Sequence, residues 1–435
     1  MDVIMQAIEW FIGLGSTVFL PIIIFIIGLI FGVKPAKAFT SGITVGIGSI
    51  GLGLVIDLLS GSLGSAIQLM GENYGTSLSI MDIGCGVGGP LAFSTTLGIL
   101  LIPVSLIVNF IFIALGLTKT LNVDIWNFWF PAFLGLVVQS VTGNFAYAVL
   151  GTVVAVMLQW LLADLFQERI SSFFGYPGIA ITHMMALSGA VFAIPVNWIF
   201  DHIPGLKDMN ADAETLTKRF GIIGIVVGIF AGYDAAGFLT LGMSTAAVMK
   251  IMPKMVAMFM EGIMPIAEGA KEFASKHLGG RSVNVGMDAA LTVGHSAVMS
   301  SALLMVPISL ALALVLPGVK ILPFGDLAFF AFVICLMIPF FKGNIVRSII
   351  GCSLYMVTML YLSTWLAPVV TDVFAIASYN VGTTGLVSFV TAGLWPVALF
   401  VLACRYLGVA GLVLIAAAII AVMFYVNKVK APKEA

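Results

Sequence analysis

A chain of 435 residues that is 61% hydrophobic and only 9% charged is too apolar for a water-soluble domain. The mean hydropathy of +1.16 and the recurrence of apolar runs of about 18 or more residues indicate a polytopic membrane protein. The net charge of −1 gives no reason to expect a nucleic-acid partner. The four cysteines show no metal-binding spacing, so neither a metal nor another cofactor is expected.

Eleven apolar stretches are predicted to be membrane-crossing helices, since a hydrocarbon core of about 30 Å requires about 20 helical residues. Their hydrophobicity is continuous rather than alternating, which favours an all-α protein over a β-barrel. In chain order the predicted spans lie at about 11–33, 38–60, 99–118, 125–141, 144–166, 216–232, 238–259, 302–318, 324–341, 344–366 and 408–427.

Sequence landmarks recur at a nearly constant offset, which indicates two copies of one unit. GLIFGVKPAKAFTSGIT at 28–44 returns 200 positions later as GIFAGYDAAGFLTLGMS, and Gly143-Asn144 returns as Gly343-Asn344. Five crossings in each unit would make the second copy inverted, an architecture typical of secondary transporters and also found in channels. The expected divisions of this single membrane domain are a first repeat at 1–175, a re-entrant segment and cytoplasmic linker at 176–212, a second repeat at 213–375, and a re-entrant segment, last helix and tail at 376–435.

The distribution of basic residues predicts the orientation of the two units. Residues 38–118 contain no Lys or Arg, whereas the corresponding part of the second copy is rich in them. Because cytoplasmic loops carry the excess of positive charge, we expect the C-terminus in the cytoplasm and the N-terminus outside. The basic segment predicted to face the cytoplasm contains Lys250, Lys254, Lys271, Lys276 and Arg281.

Four polar, glycine-containing intervals do not fit as single crossings and are predicted to be re-entrant hairpins. They lie at 82–98, 177–199, 286–300 and 377–397. Non-helical backbone at membrane depth is tolerated only where protein or a water-filled cavity satisfies its amides. These intervals are therefore the expected location of a substrate site.

Five polar side chains in these intervals are the candidate substrate-binding residues: Asp82, His183, Asp288, His295 and Asn380. An ionisable group at membrane depth is costly, so each one suggests a function. Carboxylates, imidazoles and amides can hydrogen-bond the many hydroxyls of a sugar or polyol. The alternative is that these side chains only cap broken helix ends or satisfy the hairpin backbone.

Two further pairs of polar residues stand at matching predicted helix starts. Asn144 and Asn344 each follow a glycine, and Asp124 and Asp326 open matching spans. For both pairs helix capping is the favoured explanation. The chain carries none of the sequence motifs typical of hydrolases, metalloproteases or nucleotide-binding loops.

Eight motifs in the same order along the chain resemble those of one family, the galactitol-type membrane component, called IIC, of the bacterial phosphotransferase system. The motifs are FLPI at 19–22, GIGSIGLGLVI at 46–56, NVDIWNFW at 122–129, GIAITH at 178–183, KRFG at 218–221, IFAGYD at 229–234, TAAVMKIMPK at 245–254 and LPFGDLA at 322–328.

The resemblance implies a bacterial inner-membrane homodimer of eleven-span subunits that moves a sugar or polyol, such as galactitol, by an elevator-like shift of a core domain. It also implies that a cytoplasmic IIB protein, charged through IIA, delivers phosphate from a phosphocysteine to the sugar. The basic segment would then dock IIB, or would reflect the positive-inside bias alone. From the residues themselves, a transporter driven by an ion gradient, with Asp82 or Asp288 binding the ion, remains the alternative.

Two departures from the family pattern bear on the site. GIAITH carries Thr182 where the family commonly has proline. In addition, only about ten apolar residues separate Gly221 from Gly232, where the pattern has an acidic Gly-Glu-Pro or Gly-Asp-Pro element and a longer helix. A stretch of this length is too short to cross a bilayer.

Overall fold

The computed structural model describes residues 10, 16–73, 79–122, 124, 126–205, 220–277, 283–323, 325–326, 329–378 and 385–429. Helices dominate this part of the chain, as the composition predicts. They are α1 Ser16–Ile30, α2 Pro35–Asn73, α3 Cys85–Ser94, α4 Thr96–Ala114, α5 Trp129–Thr142, α6 Phe145–Phe174, α7 Met184–His202, α8 Phe220–Phe230, α9 Ala235–His277, α10 Ala290–Val293, α11 Ser296–Val315, α12 Phe330–Ile334, α13 Ile345–Ile376, α14 Trp395–Leu407 and α15 Val409–Phe424.

Six helical segments among the described residues are long and apolar enough to cross a membrane. They comprise α4, α6, α7, α11, α13 and the segment Val409–Val429, which contains α15. Several such helices in one chain are typical of a multi-pass membrane protein.

Two helices are far longer than a bilayer is thick. α2 has 39 residues and α9 has 43, which at 1.5 Å per residue is about 58 and about 64 Å. The predicted boundaries at 60 and 259 are therefore wrong, because both helices continue through the polar sequence that follows. They pack against each other closely, and Gly48 of α2 lies directly on the backbone of Phe259 in α9.

The turns that follow α1 and α8 have the same backbone conformation. Gly32 and Gly232 have φ values of 76° and 79°, in the left-handed region that favours glycine. Around them the Val33 amide donates to the Gly28 carbonyl at 2.9 Å, and the Tyr233 amide donates to the Gly228 carbonyl at 3.0 Å. The local backbone therefore repeats at an offset of 200. α8 has only 11 residues, about 16 Å, and is too short to cross a bilayer alone.

The described residues include five short strands among the helices, an addition to the predicted all-α fold. They are β1 Ile80–Asp82, β2 Thr120–Asn122, β3 Ile179–Ile181, β4 Asn284–Met287 and β5 Leu386–Ser388. β1 pairs with β5, and β4 pairs with both β2 and β3, all in parallel. The pairing brings the predicted re-entrant intervals together two by two, the first with the fourth and the second with the third.

Each of the four predicted re-entrant intervals includes at least part of a short strand and part of a helix. Residues 177–199 form β3 and then α7, a single helix of 19 residues. In the described part of the predicted span 324–341, α12 is followed by a series of turns in which the Met337 amide donates to the Ile334 carbonyl at 2.9 Å. Residues 330–341 are buried in protein throughout. Hydropathy cannot distinguish an apolar run that faces lipid from one that fills a core.

A partly buried carboxylate in α6 ties the helical segment that follows α15 to the loop before β2 and to β2 itself. Asp164 accepts hydrogen bonds from the hydroxyls of Thr118 and Thr120, both at 2.7 Å. Asn427 Nδ2 donates to Asp164 Oδ2 at 3.2 Å and to the Leu117 carbonyl at 2.8 Å. These contacts hold the loop before β2, and through β2 they support the three-stranded sheet.

We expect Gly48→Ala to weaken the packing of α2 on α9, because a Cβ atom at this position would lie 2.8 Å from Cα of Phe259. Forcing the helices apart should cost about 1–3 kcal/mol of stability, measured by thermal unfolding in detergent. Gly61→Ala in the same helix is the control, since nothing lies within 4 Å of its Cβ position. Equal melting temperatures for the two variants would contradict the close approach.

Candidate functional site

The carboxyl ends of β3 and β4 bring two predicted site residues together. Asp288 follows β4 directly, and His183 stands two residues after β3. The Thr182 amide donates to the Met287 carbonyl at 3.0 Å, and Gln159 Nε2 of α6 donates to the Thr182 carbonyl. With the backbone held on both sides, Nδ1 of His183 lies 3.6 Å from Oδ2 of Asp288.

Asp288 belongs to a group of four polar side chains, named here the Asp288 cluster: Asp124, Asn127, His183 and Asp288. The Ala290 amide donates to Oδ1 of Asp288, while Asn127 Nδ2 donates to the carboxylates of both Asp288 and Asp124. Asp124, Asn127 and His183 are each at most 5% exposed. The amide of Asn127 therefore joins the buried carboxylate of Asp124 to the partly buried carboxylate of Asp288, beside an imidazole.

The ring of His183 is the least satisfied member of this cluster. His183 precedes α7, yet its side chain accepts no helix amide, so the capping alternative does not apply to it. Within the described part of the chain neither ring nitrogen forms a hydrogen bond, and the ring stacks on Phe332 with 5.6 Å between centroids. Buried polar atoms are nearly always paired. An unpaired imidazole beside a carboxylate is therefore a place where a ligand hydroxyl could bind.

His295 plays a different structural role. Its Nδ1 accepts a hydrogen bond from the Ala297 amide at 3.2 Å and thus caps α11. The ring packs against Phe173 and Phe174, with centroid distances of 4.9 and 5.4 Å. Capping is therefore one function of this histidine. Because Nδ1 accepts, the proton of a neutral imidazole lies on Nε2, which is left to face a ligand.

Asp82 lies in a second group, the Asp82 cluster, which consists of Asp82 and Asp326. Asp82 accepts hydrogen bonds from the amides of Gly84 at 3.0 Å and Gly325 at 2.9 Å. Asp326 accepts from the amides of Cys85 at 2.5 Å and Thr391 at 2.6 Å. The two carboxylates thus join three segments that are distant in sequence.

The Asp82 and Asp288 clusters have related geometry. Each begins with an aspartate that follows a strand and accepts the amide of the residue two positions later. Each contains a second aspartate, Asp326 or Asp124, 202 positions apart. Asp124 bonds the backbone and side-chain amides of Asn127 three residues later, as a helix cap would, whereas the carboxylate of Asp326 accepts amides from two distant segments. By contrast, Asn144 and Asn344 each cap a helix, as predicted.

The remaining predicted positions are distributed as follows. Asn380 and Arg281 lie outside the described residues. Lys250 and Lys254 are exposed on α9, where Lys271 also lies, and Lys276 pairs with Glu272 at 2.6 Å on the exposed face of the same helix. The predicted basic segment is therefore partly neutralised by its own acidic neighbours.

The far end of α7 is anchored by a buried cation. Nη1 of Arg347, at the start of α13, donates to Oδ1 of Asp201 at 2.5 Å and to Oδ1 of Asn197 at 3.1 Å. Arg347 is only 7% exposed, and removing one partner of such a pair leaves a buried charge uncompensated. This contact fixes the helix that carries His183 at its other end.

Apolar helices that enclose buried hydrogen-bonding groups at broken helix ends define a membrane permease, a class of protein that takes a polar solute through the bilayer. The chain belongs to the EIIC-GAT family, described as the PTS system sugar-specific permease component, which matches residues 10–385. Members of this family transport sugar-like substrates together with IIB and IIA partners.

Three relatives cover most of the chain. A protein of Escherichia coli strain K12 described as a permease IIC component is 35% identical, with 84% of this chain and 86% of the relative covered. The galactitol-specific EIIC components of the PTS system from Escherichia coli K12 and Escherichia coli O157:H7 are each 32% identical, with 82% of both chains covered.

We expect Asp326→Ala to destabilise the protein, because it leaves the buried amides of Cys85 and Thr391 without their acceptor. Each unpaired amide should cost about 1–3 kcal/mol, measured by thermal unfolding in detergent. Asp372→Ala is the control, since that carboxylate is exposed and makes only a 3.5 Å contact with Ser140. A melting temperature as high as that of the control would show that Asp326 does not hold the three segments together.

Proposed function

We propose that this protein is the IIC permease of a phosphotransferase system for galactitol or a closely similar alditol. The unpaired, buried imidazole of His183 beside Asp288 carries the proposal. The galactitol-specific names of two relatives support the choice of substrate. In this proposal the substrate is bound by Asp82, His183, Asp288, His295 and Asn380.

The chemistry of the Asp288 cluster suits a polyol. An alditol presents hydroxyls that both donate and accept, and it carries no charge. Asp288 can accept from such a hydroxyl, Asn127 can donate to one, and the imidazole of His183 can do either. Several oriented partners inside a closed site reject solutes that lack the hydroxyls, because the buried polar groups would then remain unpaired.

We further propose eleven crossings in two inverted units, 1–175 and 213–375, with re-entrant segments in 176–212 and 376–435. The matched glycine turns after α1 and α8, the matched asparagine caps and the two related aspartate clusters support a duplicated unit. In this arrangement the N-terminus lies outside the inner membrane and the C-terminus lies in the cytoplasm. The short helix α8 must then be extended by neighbouring residues.

Substrate passage in this proposal is an elevator-like movement within a homodimer. The scaffold would consist of α1, α2, α8 and α9, and the remaining elements would form the moving core. The close packing of α2 on α9 supports a rigid scaffold. The polar clusters lie on the other elements, so a shift of the core would carry the bound substrate with it.

IIB would dock on the cytoplasmic part of α9, whose exposed lysines include Lys250, Lys254 and Lys276. At about 64 Å this helix extends well beyond a hydrocarbon core of about 30 Å. The positive-inside bias alone would also account for lysines on this cytoplasmic segment. Cross-linking to IIB distinguishes a docking surface from that bias.

Uptake of labelled galactitol into proteoliposomes should depend on phosphorylated IIB and should deliver galactitol phosphate to the IIB side. A proton or sodium gradient alone should produce no accumulation, because the proposed driving reaction is phosphoryl transfer. Accumulation of free galactitol under either gradient would contradict group translocation and would favour a secondary transporter.

Lys271→Cys and Lys276→Cys should each form an adduct with IIB when a bifunctional thiol reagent is added under transport conditions. The native cysteines Cys85, Cys335, Cys352 and Cys404 are all buried and should contribute little background. Lys320→Cys is the control, because Lys320 is also exposed but lies outside α9. Docking on α9 is wrong if the two variants form no adduct, or no more than the control does.

A further inference from the structure

We propose that His183 and Asp288 form a catalytic dyad that removes the proton from the substrate hydroxyl while that hydroxyl accepts a phosphoryl group. This inference rests on the proposed function and adds a chemical step to it. The permease would then contribute to the reaction itself, in addition to binding and moving the substrate.

The geometry of the pair is that of an oriented base. Oδ2 of Asp288 lies 3.6 Å from Nδ1 of His183, and the carboxylate is itself held by the Ala290 amide and by Asn127. A carboxylate beside Nδ1 favours the tautomer with the proton on Nδ1, which leaves the lone pair of Nε2 for a reactant. Nε2 of His183 is buried and unpaired within the described part of the chain, so nothing described there competes with a hydroxyl for it.

Helix capping and metal binding, two common roles of a buried histidine, fit His183 poorly. It does not cap α7, whereas His295 does cap α11. Among the described residues no group of three or more His, Cys, Asp or Glu side chains is arranged to hold a metal ion. In the related Asp82 cluster, by contrast, both carboxylates accept backbone amides, and no imidazole of that cluster is available as a base.

The surroundings of His183 also suit proton transfer. The imidazolium that forms would lie beside the carboxylate of Asp288, which Asn127 connects to Asp124. The ring is only 5% exposed and stacks on Phe332, so bulk water does not reach it. The site must open toward IIB before phosphate can arrive. The proposed movement of the core would provide this opening.

Atoms, electrons and the proton are all conserved in the proposed phosphoryl transfer. The substrate oxygen forms a bond to phosphorus while the phosphorus–sulfur bond of the phosphocysteine on IIB breaks. The hydroxyl proton passes to Nε2 of His183, and the electron pair of the broken bond leaves with the cysteine sulfur as a thiolate. The products are the sugar phosphate, the IIB thiolate and the imidazolium, which returns its proton to solvent after the product leaves.

Two assays on the same proteoliposomes test the dyad: exchange of labelled galactitol without IIB, and formation of galactitol phosphate with phosphorylated IIB. His183→Gln and His183→Asn keep a side-chain amide that can hydrogen-bond a hydroxyl but cannot take up its proton at neutral pH. We expect their exchange rates to fall less than about tenfold and phosphate formation to fall by about 10²–10⁴-fold, the usual range for loss of a general base. Retained exchange also shows that the variants are folded.

His202→Gln is the matched control, because His202 lies on the same helix, is exposed, and contacts Trp198. It should leave both rates unchanged. The dyad is overturned if phosphate formation persists in the His183 variants, or if both rates fall by the same factor, which would make His183 a binding residue only. If the wild-type protein exchanges galactitol but forms no galactitol phosphate, the proposed function itself is wrong.

Discussion

Polar backbone inside an apolar helical body must be paired, and the short parallel strands meet this requirement. Each of the four broken intervals exposes amides and carbonyls that the helices cannot satisfy. β4 supplies partners to β2 and β3, and β1 pairs with β5. Because the strands come from distant parts of the chain, this pairing also brings the ends of separate helices to common points. His183 and Asp288 lie together as a consequence.

The same requirement is met differently in the two aspartate clusters. Asp82 and Asp326 use their carboxylate oxygens on backbone amides, so ligand binding there would compete with contacts that support the fold. Asp288 shares its carboxylate with a side-chain amide and lies beside an imidazole that has no hydrogen-bond partner among the described residues. Side chains can exchange partners at lower cost than backbone. The Asp288 cluster is therefore better suited to bind and release a substrate.

The long helices have a different role. α2 and α9 contact each other through glycines, which let the helix backbones approach closely. Without a hydrophobic driving force between helices in lipid, such close packing is the main source of their association. A stiff pair of this length can stay fixed while shorter, broken elements around the polar clusters change position. In the proposed movement, the rigid and the moving elements would thus lie in different parts of the chain.

The amino-acid sequence by itself determined the membrane class, the family resemblance, the asparagine caps and the offset of 200, because these depend on local composition and spacing. It also marked His183 and Asp288, since charge in an apolar segment is conspicuous. The lengths of α2 and α9, the turns in 324–341 and the partners of Asp326 were decided only by tertiary structure. Each depends on which distant segment lies alongside, and neither hydropathy nor local periodicity carries that information.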